Sequence, residues 1–507
     1  MNNFIQTLYI DNRKNIFHDS FGWIFPEYHL MGWALSCLQL HKIYRKVILY
    51  ANSPAASVLI DMLKLPYAQV HLTHDIFTLV HPNLWALPKI YTYSLQEHPF
   101  LHIDGDVFIF NQFDFNLLNS KLIAQNIEIA TEDYYSVTQK ELMRYFTFFP
   151  PCVKKDFESG IPIQTCNAGI IGGNNISFFS EYSAIAFDYV NNNIKKLQNI
   201  NINMFNIFFE QHLFYALAKE KGIPVNVLIK DVVNDNGYKD LGDFHDVPFN
   251  RSYLHLLGHF KRDEYTCIQM VAKLKELYPD YYERIVALFH KKKLHLSPCG
   301  FINEANSPQR LIEEKKNIHL YRLRLASSQC PPKIDKDLFQ KDFDTFYQQI
   351  LYLLTHKHIV YDLLERDLSA QHWYRDLFAD PSVLSSKVIV RCLETEIIES
   401  EFDWAGLFNK SYRDGTRYYE DLQITNGQFF NLIVLEATDN GFSLYDINKI
   451  DHELILLLSK QLSINETLNK MKIYFEEEML QNYYEEFENL ILTSIKQLVI
   501  KKAIRPL

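Results

Sequence analysis

The first 300 residues alternate short apolar runs with stretches in which apolar side chains recur every three or four positions. FIQTLYI reads as a strand, EYHLMGWALSCLQLHKIY as a helix, KVILYAN as a second strand, SPAASVLIDMLKL as a helix opened by a Ser-Pro cap, and AQVHLTH as a third strand. The rhythm leads to FLHIDGDVFIF, in which Asp104 and Asp106 interrupt two apolar runs. Such alternation predicts an α/β fold, a parallel sheet with helices on both faces, whose ligands gather at the carboxyl ends of the strands. Residues 263–295 predict one or two helices broken near Pro279. SPCGFINEANSPQR, rich in Pro, Asn, Ser and Gly, reads as a linker.

Beyond it the pattern changes. DLFQKDFDTFYQQILYLLTHKHIVYDLLERDL has helical period, and KVIVRCLETEIIESEF fits a strand pair or a helix. No chemical motif stands out there. FFNLIVLEATDNGFSLYDIN holds two β-rich runs around Asp439-Asn440-Gly441, a hairpin signal because Asn and Gly tolerate positive φ. Three helical stretches follow: DHELILLLSKQ, then SINETLNKMKIYF with Ser463 and Glu466 spaced as a capping box, then a run from Glu476 to Lys502. The chain therefore divides into residues 1–298, a mostly helical or mixed middle region at 299–422, and a small module at 423–507.

Composition narrows the function. The 507 residues are 48% hydrophobic and 14% aromatic, enough to bury substantial cores, and a formal charge of −10 argues against a nucleic-acid partner, which needs a clustered basic surface. Seven scattered cysteines without a CxxC pair predict reduced thiols rather than a zinc or redox centre. With no basic region followed by an apolar stretch at the start, and no apolar run of about 18 residues, membrane insertion is not expected and a cytoplasmic location is.

Asp104 and Asp106 carry the chemistry. Isolated charges between LHI and VFIF are costly to desolvate, so the pair calls for a compensating partner, most simply a divalent cation. The competing reading is a plain Asp-Gly turn. Phosphatases of the haloacid dehalogenase type also place Asp-x-Asp at a strand end, as nucleophile and acid/base beside magnesium. Here, however, the motif lies a hundred residues into the chain, and no acidic pair follows a helix-borne Lys. In HLLGHFKR, about 150 residues on, His255, Gly258 and Lys261 form H-x-x-G-x-x-K. The imidazole suits a manganese-like ion, Gly258 permits close backbone approach to a diphosphate, and Lys261 neutralises its charge.

These motifs resemble those of GT-A glycosyltransferases, and within them glycosyltransferase family 8. The resemblance covers roughly the first 290 residues. It implies a GT-A, Rossmann-like nucleotide-sugar domain, with Asp104, Asp106 and His255 as ligands of Mn2+ (or Mg2+) and Asp104 also at the ribose. Gly258 and Lys261 would meet the diphosphate. CNAGIIGGNN resembles the family's F-N-[AS]-G-V stretch, placing Asn167, Ala168 and Gly169 beside the donor sugar, and FFEQHLFYAL resembles its D-Q helix start, placing Glu210 and Gln211 at the reaction centre. Lys89, in the helix before the D-x-D strand, would face the donor. Cys166 replaces the family's aromatic, Glu210 its Asp, and Arg262-Asp263 its Pro-Trp. The activity implied is retaining transfer from a UDP-sugar.

The pattern of residues 423–507, a hairpin followed by helices, resembles the RiPP recognition element, a small winged-helix-like domain that binds the leader of a ribosomally made peptide as an added strand. This implies a peptide acceptor delivered by that module. A helical cap or dimerisation module is the alternative, and Glu476, Glu477, Glu478, Glu485, Glu486 and Glu488 are either a solvated face or a selector for a basic leader. Three other functions stay open: a transferase for a surface polysaccharide or glycan, a non-catalytic peptide-binding scaffold on a transferase fold, and the phosphatase.

Overall fold

The computed structural model describes residues 3–129, 135–234, 238, 241–249, 251–258, 260–292, 334–356, 386–408, 427–435 and 442–507, with isolated positions between 320 and 375. The linker, with the boundary at 298/299, and the turn at 439–441 lie outside the described residues. The chain forms two compact units, Met1–Lys291 and Lys292–Leu507.

In the first unit, β1 (Asn3–Leu8) runs parallel to β2 (Val47–Ala51), and β2 to β3 (Gln69–Leu72). On its other side β1 pairs in parallel with β4 (Phe100–Ile103), which leads through Asp104-Gly105-Asp106 into β5 (Val107–Ile109). Next come β6 (Leu122–Ala124), β7 (Ile127–Ile129), β8 (Gln164–Cys166), β9 (Ile170–Gly173), β10 (Val225–Val227), β11 (Val233–Asn234) and β12 (Tyr253–His255). The main sheet has the order β10-β6-β9-β4-β1-β2-β3. Side chains alternate across it: Ile5 and Phe100 enter one core with Phe179 and Phe214, while Phe4, Leu101 and Ile103 enter the other with Leu40. Each such fully buried side chain contributes about 1.5–3 kcal/mol.

Parallel pairing dominates, but the expectation of a wholly parallel sheet is corrected at β9, which runs antiparallel to both β4 and β6. β8 and β9 run in one direction, joined by Asn167-Ala168-Gly169, and pair antiparallel with the consecutive strands β7 and β6. Because β9 is antiparallel, it begins where β4 ends, and Ile170 stands opposite Ile103. A second small pairing has a similar effect. Antiparallel β12 lies on β5 with His255 opposite Val107, which carries the distant imidazole to the D-x-D turn.

Two helices pin this strand end. Helix α1 (Pro26–Tyr44) donates a hydrogen bond of 2.6 Å from Ser36 Oγ to the Val107 carbonyl and places Trp33 against Gly105. A Cβ at position 105 would lie 2.1 Å from the Trp33 ring, so the turn needs glycine for close approach. Helix α2 (Leu87–Ser94) holds Lys89. The segment expected to open on a Ser-Pro cap is capped by Asn52 instead, whose side chain accepts from the Ala55 amide.

In the second unit, α3 (Lys336–His356) packs Phe339, Phe343 and Phe346 around the buried Trp404. The ambiguous stretch KVIVRCLETEIIESEF is two strands, β13 (Val388–Arg391) and β14 (Thr395–Ser400), which do not pair with each other. β14 joins the hairpin of β15 (Phe429–Leu435) and β16 (Phe442–Ile447), so this sheet crosses the boundary drawn from sequence at 422/423. Short strands β17 (Leu462–Ser463) and β18 (Ile504–Pro506) flank β13. Helices α4 (Lys449–Leu457), α5 (Ile464–Met471) and, after a short helix at Glu477–Asn482, α6 (Tyr484–Ile500) complete the unit. The capping box forms: Ser463 accepts from the Glu466 amide while Glu466 accepts from that of Ser463. Among the described residues no helix is long and apolar enough to cross a membrane.

Candidate functional site

The two carboxylates at the end of β4 each meet a lysine. Lys89 Nζ stands 2.9 Å from Asp104 Oδ1 and 2.7 Å from Glu210 Oε1, and Lys261 Nζ stands 2.5 Å from Asp106 Oδ2. His255 Nε2 lies 3.5 Å from Asp106 Oδ1, a buried oxygen with no hydrogen-bond partner among the described residues. The main chain of the second motif closes on the first: the Asp104 amide donates to the Gly169 carbonyl at 2.9 Å. The absent Cβ of Gly169 leaves room for the His255 ring, since a Cβ there would sit 2.3 Å from Cε1. Thus Asp104, Asp106, Gly169, His255, Lys89 and Lys261, scattered over the sequence, share one strand end. Among the described residues, and apart from its chain neighbours, no heavy atom lies within 4 Å of where a Cβ at Gly258 would be.

Electrostatics separates the two acids. Burial pushes both carboxyls up. At Asp106 the Lys261 ammonium, and then His255, outweigh it and hold the acid well below the usual carboxylate range. At Asp104 burial wins over Lys89, helped by the charge of Asp106, and the carboxyl is raised. Lys89 is held above its ordinary value because Asp104 and Glu210 outweigh its desolvation. Glu210, fully out of water, is pushed up to about 7 by burial despite Lys89 beside it.

FFEQHLFYAL does not start a helix, a correction to the D-Q expectation. Glu210 and Gln211 lie in a π-helical turn, Phe208–His212, between helices Ile202–Ile207 and Leu213–Glu220. Such single-turn insertions recur at functional sites because they re-aim side chains. Glu210 turns inward to Lys89, with Tyr93 Oη 3.5 Å from its Oε1. The Gln211 side-chain amide meets Tyr135 Oη, 3.3 Å from its Oε1.

Sequence reasoning did not single out Gln125, Glu128, Tyr135, Thr165 or Tyr238. Glu128 accepts from Asn167 Nδ2 at 3.0 Å, Tyr135 Oη at 3.0 Å and Thr165 Oγ1 at 3.3 Å, and from the Tyr238 hydroxyl. It therefore ties Asn167 and, through Tyr135, Gln211 to one buried carboxylate. Ala168 is fully buried between them in sequence. The only trace of this in the sequence is a polar residue after each apolar fragment, as in LIAQN, which no periodicity rule reads as chemistry.

The donor set suits a divalent cation. Two carboxylates and an imidazole nitrogen are hard-to-borderline ligands, and Asp106 Oδ1 is a buried oxygen left unpaired. Each acid also meets an ammonium, so a cation would share or displace those partners. No group of three His, Cys, Asp or Glu residues is drawn close enough to form a ready-made metal cluster among the described residues.

Residues 2–288 match the model of a protein family described as "Family of unknown function (DUF6734)". No match is found among the curated proteins. Among solved structures, the glycosyltransferase GlyE of Streptococcus pneumoniae TIGR4 is 12% identical with a TM-score of 0.26, over 58% of this chain and 65% of its own. Its apo form is 13% identical at 0.28, over 58% and 64%. An active-site mutant of LgtC is 9% identical at 0.25, over 41% and 70%. The chain spans less than two thirds of the GlyE chain's length.

Proposed function

The chain belongs to the family of unknown function DUF6734, and from the site itself we propose that it is a metal-dependent glycosyltransferase that moves a sugar from a UDP-sugar with retention. One observation carries the reading: Asp104, Asp106 and His255 converge on a single strand end, with Lys89 and Lys261 beside them. Neither an Asp-Gly turn nor a phosphatase needs an imidazole brought there by a separate strand pairing.

In this reading Asp104, Asp106 and His255 would hold Mn2+ or Mg2+, which when bound supplies positive charge for the departing diphosphate. Lys261, released from Asp106, binds that diphosphate, and the absent Cβ of Gly258 lets the backbone approach it. Asn167, Ala168 and Gly169 line the donor sugar. Gln211, steadied by Tyr135, orients the sugar and stabilises its oxocarbenium-like charge, while the leaving phosphate takes the acceptor's proton. Glu210 acts through Lys89, which it holds against Asp104.

The acceptor in this reading is a ribosomally made peptide. What supports it is the pattern of residues 423–507, a hairpin followed by helices, in which β15 and β16 belong to a three-stranded antiparallel sheet, the kind of element on which a peptide strand is recognised. The test is release of UDP from UDP-sugars by the full chain. The reading expects Mn2+-dependent hydrolysis that disappears in Asp106→Ala and in His255→Ala; a wild-type protein that binds no nucleotide in the presence of Mn2+ leaves only the scaffold.

A further inference from the structure

Gln125 stands immediately after β6 and is fully buried. Its side-chain oxygen lies 2.7 Å from His255 Nδ1, and its Nε2 donates to Asn126 Oδ1 at 3.2 Å. The second contact fixes the amide's orientation. Asn126 Nδ2 donates to the Ile127 carbonyl at 3.2 Å, which leaves Oδ1 as the acceptor end, so the Gln125 group facing it must be the NH2 end. The oxygen is then left for the imidazole. An amide oxygen only accepts, so Nδ1 carries a proton, and in the neutral imidazole Nε2 then presents its lone pair.

That lone pair faces Asp106 Oδ1 at 3.5 Å, the unpaired oxygen. With the ring neutral, these two electron-rich atoms repel unless a cation joins them; in the imidazolium a second ring proton, on Nε2, takes that place. The main chain anchors the arrangement: the Gln125 amide donates to the Asn167 carbonyl at 3.3 Å, and the Gln125 carbonyl accepts from Leu228 and Ile229 at 3.0 and 2.9 Å. Gly169 closes over the ring's face.

From this geometry we infer that Gln125 is a positioning residue: it locks His255 in the Nδ1–H form so that Nε2 is free to ligate the cation shared with Asp106. The inference rests on the metal-binding reading for its consequence, though not for the tautomer itself. Outer partners of metal-bound histidine commonly change metal affinity by about 10- to 100-fold when removed.

The test uses the full chain with Gln125→Met, similar in length without the amide, and Gln125→Glu, whose carboxylate still accepts from Nδ1–H; circular dichroism checks that both fold. Mn2+ alone is titrated and free Mn2+ read by electron paramagnetic resonance. Gln125→Met is expected to bind about 10- to 100-fold more weakly, while Gln125→Glu stays within about threefold of wild type. Wild-type affinity in Gln125→Met, with binding lost in His255→Ala, overturns the inference. Should wild type itself bind no Mn2+, the metal reading fails, and the ring decides on Gln125 alone. Long-range 1H–15N spectra of the metal-free protein, with His255 assigned by its disappearance in His255→Ala, are expected to show Nδ1–H in wild type and loss of that preference in Gln125→Met. The same tautomer in both sinks the inference.

Discussion

Lys89 and Glu210 form an ion pair of 2.7 Å in which the carboxylate has no solvent exposure and the ammonium almost none. Breaking such a pair from one side leaves a buried charge without compensation, at a cost of about 3–5 kcal/mol. Lys89→Met removes the shared partner of Glu210 and Asp104 together. Both acids then escape the penalty by taking up protons, so the loss is expected to be small at pH 5 and to approach that full magnitude at pH 8. Urea unfolding at the two pH values checks this; an equal loss at both shows that the ammonium is not what keeps the acids charged.

Glu210 gives a second pH dependence of known sign. Its carboxyl titrates near 7 in the folded chain and has an ordinary value of 4.5. A raised folded value means that its contribution to stability is fully present below about 4.5 and is lost as pH rises through 7. Glu210→Gln lacks this titration. The stability difference, variant minus wild type, is expected to grow between pH 4.5 and 7 by an amount on the order of 1.4 kcal/mol per pH unit. A difference that stays flat across that window means the carboxyl titrates normally.

The strand-end acids were legible because their apolar flanks made them costly, and the helices α1, α2 and those around Pro279 because their period is regular. What the sequence hid is pairing. Nothing local in CNAGIIGG reports that β9 runs antiparallel, yet that direction sets Gly169 against Asp104. Glu210 and Gln211 were found by motif, but their π-helical turn depends on packing against Tyr93 and Tyr182, whose hydroxyl donates to the Glu210 carbonyl at 2.7 Å. Gln125 and Glu128 matter through tertiary hydrogen bonds alone, for which a single sequence has no periodic signal.

Gly169 tests whether His255 depends on close approach. A methyl at 169 would overlap the ring's Cε1 and Nδ1, at 2.3 and 2.7 Å, so the imidazole must tilt away from both Gln125 and Asp106. Gly169→Ala is expected to lose Mn2+ binding by at least tenfold. Its stability should fall by about 1–3 kcal/mol, the range for overpacking a close contact. Equilibrium Mn2+ titration together with thermal unfolding separates the two effects. Unchanged metal affinity in a folded variant shows that the ring's position there is not what binds.

Lys261 offers a test with opposite signs for two ligands. Its ammonium lies 2.5 Å from Asp106 Oδ2 and holds that carboxylate in its charged form, so it competes with any cation for the same oxygens. In the proposed reaction the same group moves to the diphosphate. Lys261→Met therefore removes a competitor of the metal and a partner of the nucleotide in one step. Mn2+ alone is expected to bind several-fold more tightly to the variant, while UDP in saturating Mn2+ binds about tenfold or more weakly, a loss of at least about 1.4 kcal/mol. Isothermal titration of each ligand reads both. If the two affinities fall together, Lys261 is a structural support for the Asp106 turn rather than a group exchanged between carboxylate and phosphate.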